Sequence, residues 1–206
     1  QMTKDKFDNH TQEFNWFDEL DKVYNNPKID PAGSKATEDT EEPMNMSEHK
    51  LMRARVKSFQ DLIGWSEGTT TIKASEGGFN VIVGGELFHD YSDHPRVLVD
   101  IPRYNIKSSA SGKYQILERY WDHYSKQLGL KDFSPKNQDR YAMNMFREVG
   151  ALEDIEEGRI EEAIKKCASR WASFPSAGYG QREVEMKKML DKFDELLQDN
   201  LKRHDV

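Results

Sequence analysis

The apolar positions of the chain follow two different spacings, and each spacing predicts a different kind of element. Between residues 48 and 65, apolar side chains recur at steps of three and four, which is the period of one helix face: Met52, Val56, Phe59 and Ile63. The segment is therefore predicted to be a helix that buries this face against a core.

The next segment changes to the pattern of a small sheet. Residues 79–83 are rich in strand formers, Gly84 and Gly85 are typical of a hairpin turn, and residues 86–88 can return as the partner strand. Residues 92–113 contain prolines and small polar residues, which predicts an irregular stretch with room for one more short strand. The sheet is predicted to be small and antiparallel.

The second half of the chain carries four further apolar stripes at helical spacing. The stripes run from Ile116 to Leu128, from Gln138 to Val149, from Ile160 to Trp171 and from Met189 to Leu197. Gly129 is predicted to close the first of these helices, and Ser134 with Pro135 to open the second. The predicted fold class is α+β, with a small antiparallel sheet lobe, a helical lobe and a cleft between them. Cys167 lies within a stripe and is predicted to be a core residue.

Residues 1–49 differ from the rest of the chain in pattern and in charge. Aromatic and aliphatic residues at 12–24 predict one short amphipathic helix, and residues 25–45 have the prolines and acidic run of a linker. Residues 1–50 hold 12 of the 37 acidic side chains but only 6 of the 30 basic ones. We therefore predict an acidic extension at 1–49, which docks on the main domain or on another protein, and a globular domain at 50–206.

Composition excludes several classes of function. The formal charge is −7, whereas a general nucleic-acid binder needs a basic surface for phosphate contacts. No run reaches the roughly 18 consecutive apolar residues that a membrane span requires, and no N-terminal apolar segment resembles a signal peptide. The single cysteine excludes an internal disulfide and a cysteine-based metal site. No phosphate-binding loop, dinucleotide fingerprint or serine nucleophile motif occurs, so no cofactor is expected.

Candidate chemistry appears where the first helix meets the sheet. Glu67 stands between Trp65-Ser66 and Gly68, so a carboxyl group follows an aromatic side chain at a helix end. Apolar surroundings raise the pKa of a carboxyl group, and such a group can hold a proton for a leaving oxygen near neutral pH. The alternative from these residues alone is a solvated glutamate at a fraying helix end.

Longer segments around Glu67 resemble a known family. The segments are WSEGT at 65–69, FNVIVGGELFHDYSDHPR at 79–96, SGKYQIL at 111–117, KQLGLKDFSPKNQD at 126–139 and WASFPSAGYGQ at 171–181. In this order and spacing, and together with Trp121, they are similar to the endolysin family of bacteriophage lambda over about residues 50–195. The resemblance implies a lysozyme-like fold and a peptidoglycan lytic transglycosylase, whose substrate is the glycan strand of the cell wall.

The resemblance also implies roles for individual residues. Glu67 matches the catalytic glutamate, which would protonate the bond between N-acetylmuramic acid and N-acetylglucosamine and then act as base while a 1,6-anhydro ring forms. Gln115 and Tyr179 match residues that contact the sugar and the acid. Tyr114 is either a substrate contact or a core residue that packs on Trp121.

Two further positions are candidates for substrate contacts. Gln181 is either a cleft contact or an exposed helix-start residue. Asn80 stands where the family pattern is usually acidic, which removes one candidate second carboxylate and leaves an amide that stabilises positive charge only weakly.

Ordinary hydrolysis stays open as an alternative because it needs a second carboxylate. The candidates for that group are Glu76, Glu86, Asp90 and Asp93. His89 and His94 do not have a standard zinc-ligand spacing, so no metal is expected.

The extension at 1–49 leaves two expectations for partner and location. A lysis enzyme without an export signal would accumulate in the host cytoplasm and reach the periplasm through a holin pore. Alternatively, the extension binds a phage structural protein, and the domain acts in the virion as a hydrolase or as a structural component.

Overall fold

The computed structural model describes residues 46–178, 180 and 182–203, and the predictions for the segment 1–45 lie outside this range. Six α-helices are described: α1 (Met46–Ser66), α2 (Glu118–Leu128), α3 (Pro135–Glu148), α4 (Leu152–Glu157), α5 (Ile160–Cys167) and α6 (Met186–Arg203). Two strands, β1 (Val99–Ile101) and β2 (Ile106–Ser108), form an antiparallel pair. The α+β class with a small sheet is confirmed. In the described part of the chain, no helix is both long and apolar enough to cross a membrane.

Helix α1 is the central element of the helical lobe. Of the face predicted from its spacing, Val56, Phe59 and Ile63 have no exposed surface, and Met52 is half-buried. The Phe59 ring meets Phe146 of α3 edge to face at 5.4 Å and Phe174 at 6.2 Å. Aromatic pairs of this kind add to the hydrophobic stabilisation of a core. The last residue of α1 is thus held firmly at the boundary with the sheet lobe.

The sheet differs from the predicted hairpin. Residues 79–88 form a single bridge, Val81 to Leu87, while the neighbouring Ile82 bridges to Ser111. Because adjacent residues pair with different partners, no ladder of regular strands develops there. The two named strands instead lie within the stretch predicted to be irregular, and Pro102 is in the turn between them rather than in a strand.

The helical predictions hold with two corrections. Gly129 ends α2 in the left-handed conformation, and Ser134 precedes Pro135 at the start of α3. However, α5 ends at Cys167 and not at Trp171, since the chain turns and places the Trp171 ring 5.9 Å from that of Phe146. The short helix α4 was not predicted, because its sequence is mostly acidic and has no apolar period.

Candidate active site

A cleft of about 760 Å³ runs between the sheet lobe and the helical lobe. Its walls come from β2, from the turn at 114–117, from α2 and from the segment 169–172, and Glu67 borders it. The two apolar side chains at its sheet edge, Leu98 and Ile106, are 61% and 44% exposed. The lining of the cleft is partly apolar, and its volume lies within the range of ligand-binding clefts in proteins.

Glu67 is positioned by the end of α1. Its backbone N–H donates to the carbonyl oxygen of Ile63 at 2.9 Å, so it continues the helical hydrogen bonding by one residue beyond Ser66. Gly68 then takes a left-handed conformation with φ of 80°, and the chain leaves the helix axis. The carboxyl group is therefore attached to rigid backbone at one edge of the cleft.

The surroundings of Glu67 favour its protonated form. Burial raises the pKa of the Glu67 carboxyl, and hydrogen bonds from Ser173 partly oppose this rise. The Ser173 hydroxyl lies 2.6 Å from Oε1 of Glu67. The partial negative charge at the C-terminal end of α1 also disfavours a carboxylate there. A carboxyl of this kind can act as a proton donor near neutral pH.

Gln115 borders the same cleft and is held by a strained turn. It takes a left-handed φ of 49°, which costs a non-glycine residue about 1 to 2 kcal/mol. Its side-chain Nε2 donates to the carbonyl oxygens of Gly112 at 3.0 Å and Val81 at 3.4 Å. These bonds fix the amide plane beside the cleft that Gln115 lines.

Tyr114 borders the cleft but is itself 1% exposed. Its hydroxyl donates to the carboxylate of Asp139 in α3, and its ring meets that of Phe79 at 6.4 Å, whereas one of the two alternatives from the sequence packed it on Trp121. The environment is that of a core residue supporting the cleft floor.

Among the remaining predicted contacts, only Asn80 lies within the described residues. Asn80 is 1% exposed and does not border the cleft. Its backbone carbonyl oxygen accepts a hydrogen bond from the backbone N–H of Phe88. Tyr179 and Gln181 lie outside the described residues.

Comparison with known proteins identifies the family. The family model described as Endolysin matches residues 57–198, which is more than half of the chain. This chain belongs to the endolysin family. The endolysin of Escherichia phage lambda is 53% identical over 142 residues, 68% of this chain and 89% of that protein. The endolysin of Escherichia phage P2 is 48% identical over 145 residues, 66% of this chain and 88% of that protein.

Solved structures give the same assignment. Bacteriophage lambda lysozyme complexed with a chitohexasaccharide has a TM-score of 0.67 and 48% identity, over 76% of this chain and 97% of that one. A second structure of lysozyme from bacteriophage lambda has a TM-score of 0.60 and 44% identity, over 79% and 96% of the two chains. This family member thus has the lysozyme-like fold and is a phage enzyme of peptidoglycan degradation and host lysis.

The carboxylates that share the cleft with Glu67 are not the four predicted as a second acid. Glu76, Glu86, Asp90 and Asp93 do not border the cleft. Glu118 and Asp122 of α2 do, and the Arg96 guanidinium binds both at 2.9 and 2.7 Å. These hydrogen bonds lower the pKa of Asp122. Glu118 and Asp122 are therefore each paired with a cation, whereas burial raises the pKa of Glu67.

The histidine considered as a zinc ligand has another role. His94 is 2% exposed, and its Nδ1 accepts from the backbone N–H of Arg96 at 3.1 Å. Its Nε2 therefore carries the proton and donates to the carbonyl oxygen of Ile116 at 2.9 Å. Within the described ranges, no group of three or more histidine, cysteine or acidic side chains could hold a metal ion.

Three polar residues of the site had no role in the sequence analysis. The hydroxyls of Ser66 and Ser173 are hydrogen-bonded to each other beside Glu67. The side-chain amide of Gln138 accepts from the backbone N–H of Lys113 and donates to the carbonyl oxygens of Phe79 and Phe133. Gln138 was predicted only as part of a helix face. No local pattern marks these residues, because most of their partners lie far away in the chain, 25 positions for Gln138 with Lys113 and 107 for Ser66 with Ser173.

Proposed function

We propose that this endolysin is a lytic transglycosylase that cleaves the β-1,4 bond between N-acetylmuramic acid and N-acetylglucosamine. The observation that carries the proposal is that Glu67, alone among the three carboxyl groups that border the cleft, has a pKa raised by burial, whereas Glu118 and Asp122 are paired with Arg96. Lambda lysozyme, a relative with the same fold, was solved with a chitohexasaccharide, which supports a glycan chain as the occupant of the cleft.

The proposed mechanism uses Glu67 twice. Neutral Glu67 gives its proton to the glycosidic oxygen, the bond from that oxygen to C1 of the muramic acid breaks, and positive charge develops at C1. The C6 hydroxyl of the same sugar then bonds to C1 and gives its proton to the Glu67 carboxylate. The carboxyl returns to its starting state, and the product carries a 1,6-anhydro ring without consumption of water.

Nearby residues have supporting roles in this proposal. Gln115 presents a fixed amide for hydrogen bonds to the sugar, while Tyr114 holds the turn that carries it. Glu118 and Asp122, paired with Arg96, are the carboxylates that a hydrolytic mechanism would have to use instead. Ordinary hydrolysis requires two carboxyl groups at a defined separation, whereas the anhydro reaction needs one.

Mass spectrometry of digested peptidoglycan tests the proposal. We expect the unchanged protein to produce 1,6-anhydromuramic ends, and Glu67→Gln to lower the rate by at least about a thousandfold, because the isosteric amide cannot donate or accept the proton. The matched control is Glu86→Gln, which changes an exposed glutamate outside the cleft and should leave the rate unchanged.

Two results would contradict this mechanism. Reducing muramic ends that disappear in Glu118→Gln or Asp122→Asn would mean that water attacks C1 with help from a second carboxylate. Full activity of Glu67→Gln would mean that another group supplies the proton.

The proposal also includes release to the periplasm through a holin pore during host lysis, which family membership supports. Expression in host cells with and without a holin checks this route. Lysis only with the holin is expected, and equal lysis without it would contradict the route.

A further inference from the structure

Behind Glu67, two serine hydroxyls form a continuous line of contacts into the core. Oγ of Ser173 lies 2.6 Å from Oε1 of Glu67 and 3.0 Å from Oγ of Ser66, and Oγ of Ser66 lies 2.9 Å from the carbonyl oxygen of Ile63. Ser66 and Ser173 are 6% and 8% exposed. The line therefore runs through a region with little access to water.

The number of protons restricts how this line can be arranged. Each hydroxyl has one proton to donate, and the carbonyl oxygen of Ile63 can only accept. That carbonyl already accepts the backbone N–H of Glu67 at 2.9 Å. The Ser66 proton is therefore free to turn towards Ser173 without leaving the carbonyl of Ile63 unpaired.

The direction of the Ser66 hydroxyl decides where the Glu67 proton can sit. When Ser66 donates to Ser173, the Ser173 proton pairs with Oε1 of Glu67, because a buried hydroxyl proton without an acceptor is costly. Oε1 then accepts a hydrogen bond, and the acidic proton occupies Oε2. When the Ser66 hydroxyl instead donates to the carbonyl oxygen of Ile63, Ser173 can donate to Ser66 and accept a hydrogen bond from a protonated Oε1 of Glu67. The acidic proton is then held away from a ligand.

We propose that Ser66 and Ser173 are positioning residues, which place the transferable proton on Oε2 of Glu67 and keep Oε1 bonded in both the acid and the base step. Only hydroxyl rotation is required, since neither serine gains or loses a proton. The inference rests on the proposed function, because it explains how one carboxyl group can serve twice.

Other charges are not needed to explain the behaviour of Glu67. The charged side chains that border the same cleft are Lys107 on β2, Glu118, Arg119 and Asp122 on α2, and Arg170 after α5. Three phenols that border the cleft, Tyr114, Tyr124 and Tyr141, have a pKa raised by burial and stay neutral. Among the described residues, burial and Ser173 account for the shift of the Glu67 pKa.

The test is the pH dependence of kcat/KM on purified peptidoglycan. The alkaline limb of the pH profile, where activity falls with rising pH, reports the loss of the Glu67 proton. In Ser173→Ala the Glu67 carboxylate loses a hydrogen-bond donor, so its pKa rises and this limb should move up by about one pH unit. The rate at the pH optimum should fall about tenfold. Ser66→Ala removes the second acceptor of the Ser173 proton and leaves it with Oε1 of Glu67, so the limb should move down by a smaller amount. Ser173→Thr and Ser66→Thr, which keep the hydroxyl, should return the limb to its original position.

Ser58→Ala is the matched control. Ser58 is also a buried serine of α1 that donates to a helix carbonyl, that of Ala54 at 2.7 Å, but it does not contact Glu67. A stability effect alone would lower activity without moving the limb, as expected for this control.

The two proposals fail in different ways. If peptidoglycan yields anhydro ends that depend on Glu67 and yet both serine variants keep the original alkaline limb, the positioning role is wrong and the transglycosylase stands. If anhydro ends are absent, or Glu67→Gln is fully active, the proposed function itself is wrong. If Ser173→Ala does not fold, the Ser66→Ala and Ser66→Thr pair provides the same comparison.

Discussion

At the scale of single residues, Gly112 occupies a place with no room for a methyl group. A Cβ atom there would lie 2.1 Å from Oε1 of Gln138, and the backbone φ is 76°. That same Oε1 accepts the backbone N–H of Lys113 at 3.0 Å, and Nε2 of Gln138 donates to the carbonyl oxygens of Phe79 and Phe133. The close approach lets one buried amide hold the turn that presents Gln115.

We expect Gly112→Ala to lower the free energy of unfolding by about 3 kcal/mol, through the left-handed backbone and the displaced Gln138 amide. Urea denaturation gives this value, and the rate on peptidoglycan should fall with it. Gly150→Ala is the matched control, because its φ is 68° but no atom lies within 4 Å of the added Cβ. Its cost should be about 1 to 2 kcal/mol, and equal costs for the two variants would contradict the proposed crowding.

Residue roles were predictable only where local sequence carried a signal. Glu67 was predicted because it follows an aromatic residue at a helix end and belongs to a long matched segment, although its catalytic role stays a prediction. Asn80 lay in the same kind of segment, yet it is buried away from the cleft. Burial of a loop side chain depends on contacts from distant parts of the chain, which no local pattern encodes.

At the scale of elements, the β1–β2 hairpin presents apolar side chains to the cleft. Leu98, just before β1, and Ile106 in β2 both border the cleft and are largely exposed. Exposed apolar groups beside a groove indicate a surface that a ligand covers. Under the proposed function, the apolar faces of sugar rings would cover them.

We expect the double variant Leu98→Thr and Ile106→Thr to weaken binding of chitohexaose about tenfold, because apolar area is no longer buried on binding. The free energy of unfolding should change by less than about 0.5 kcal/mol, as is usual for exposed positions. Isothermal titration calorimetry and urea denaturation measure the two quantities. Val97→Thr is the control, since Val97 is 39% exposed but does not border the cleft; a loss of binding there would contradict the assignment.

The helices were easier to predict than the strands for a physical reason. Helical hydrogen bonds connect residues four apart, so a local apolar period and end signals such as Ser134-Pro135 suffice. Pairing within the sheet lobe joins Ile82 to Ser111, which are far apart in sequence. The prediction of two regular strands at 79–88 was wrong, because neighbouring residues of this segment pair with different parts of the chain.

At the scale of the whole molecule, Asp61 joins three distant parts of the described chain. From α1 it binds Nζ of Lys113 at 2.5 Å, Nζ of Lys57 at 2.7 Å and Nδ2 of Asn200 in α6 at 3.3 Å. Burial acts to raise the pKa of Asp61, but the ammonium groups of Lys113 and Lys57 outweigh it and hold the pKa well below the usual value. The carboxylate therefore stabilises the fold only while it is ionised.

The stability contributed by Asp61 should depend on pH. Because the folded-state pKa lies below the unfolded value of about 3.9, the contribution is complete above that pH and is lost as the pH falls towards the folded-state pKa. We expect Asp61→Asn to lower the free energy of unfolding at pH 7 by about 3 kcal/mol and to make its fall between pH 5 and pH 3 shallower. Urea denaturation across this range measures both effects.

Asp191→Asn is the control for this pH dependence. Its ion pair with Lys187 is exposed, so the free energy of unfolding should change by less than about 1 kcal/mol, and the pH slope should match the original protein. A slope for Asp61→Asn equal to that of the original protein would show that other carboxylates control acid unfolding.

Five of the six described helices, the α+β class, the family and the choice of Glu67 as candidate acid could be predicted from the amino-acid sequence. These follow from periods of three and four residues and from contiguous matched segments, both of which are local properties of a chain. Long-range packing sets which carboxylates share the cleft, buries Tyr114 and Asn80, and places Ser173 beside Glu67. Such contacts join positions as far apart as 66 and 173, and they form only when packing of the core brings those segments together.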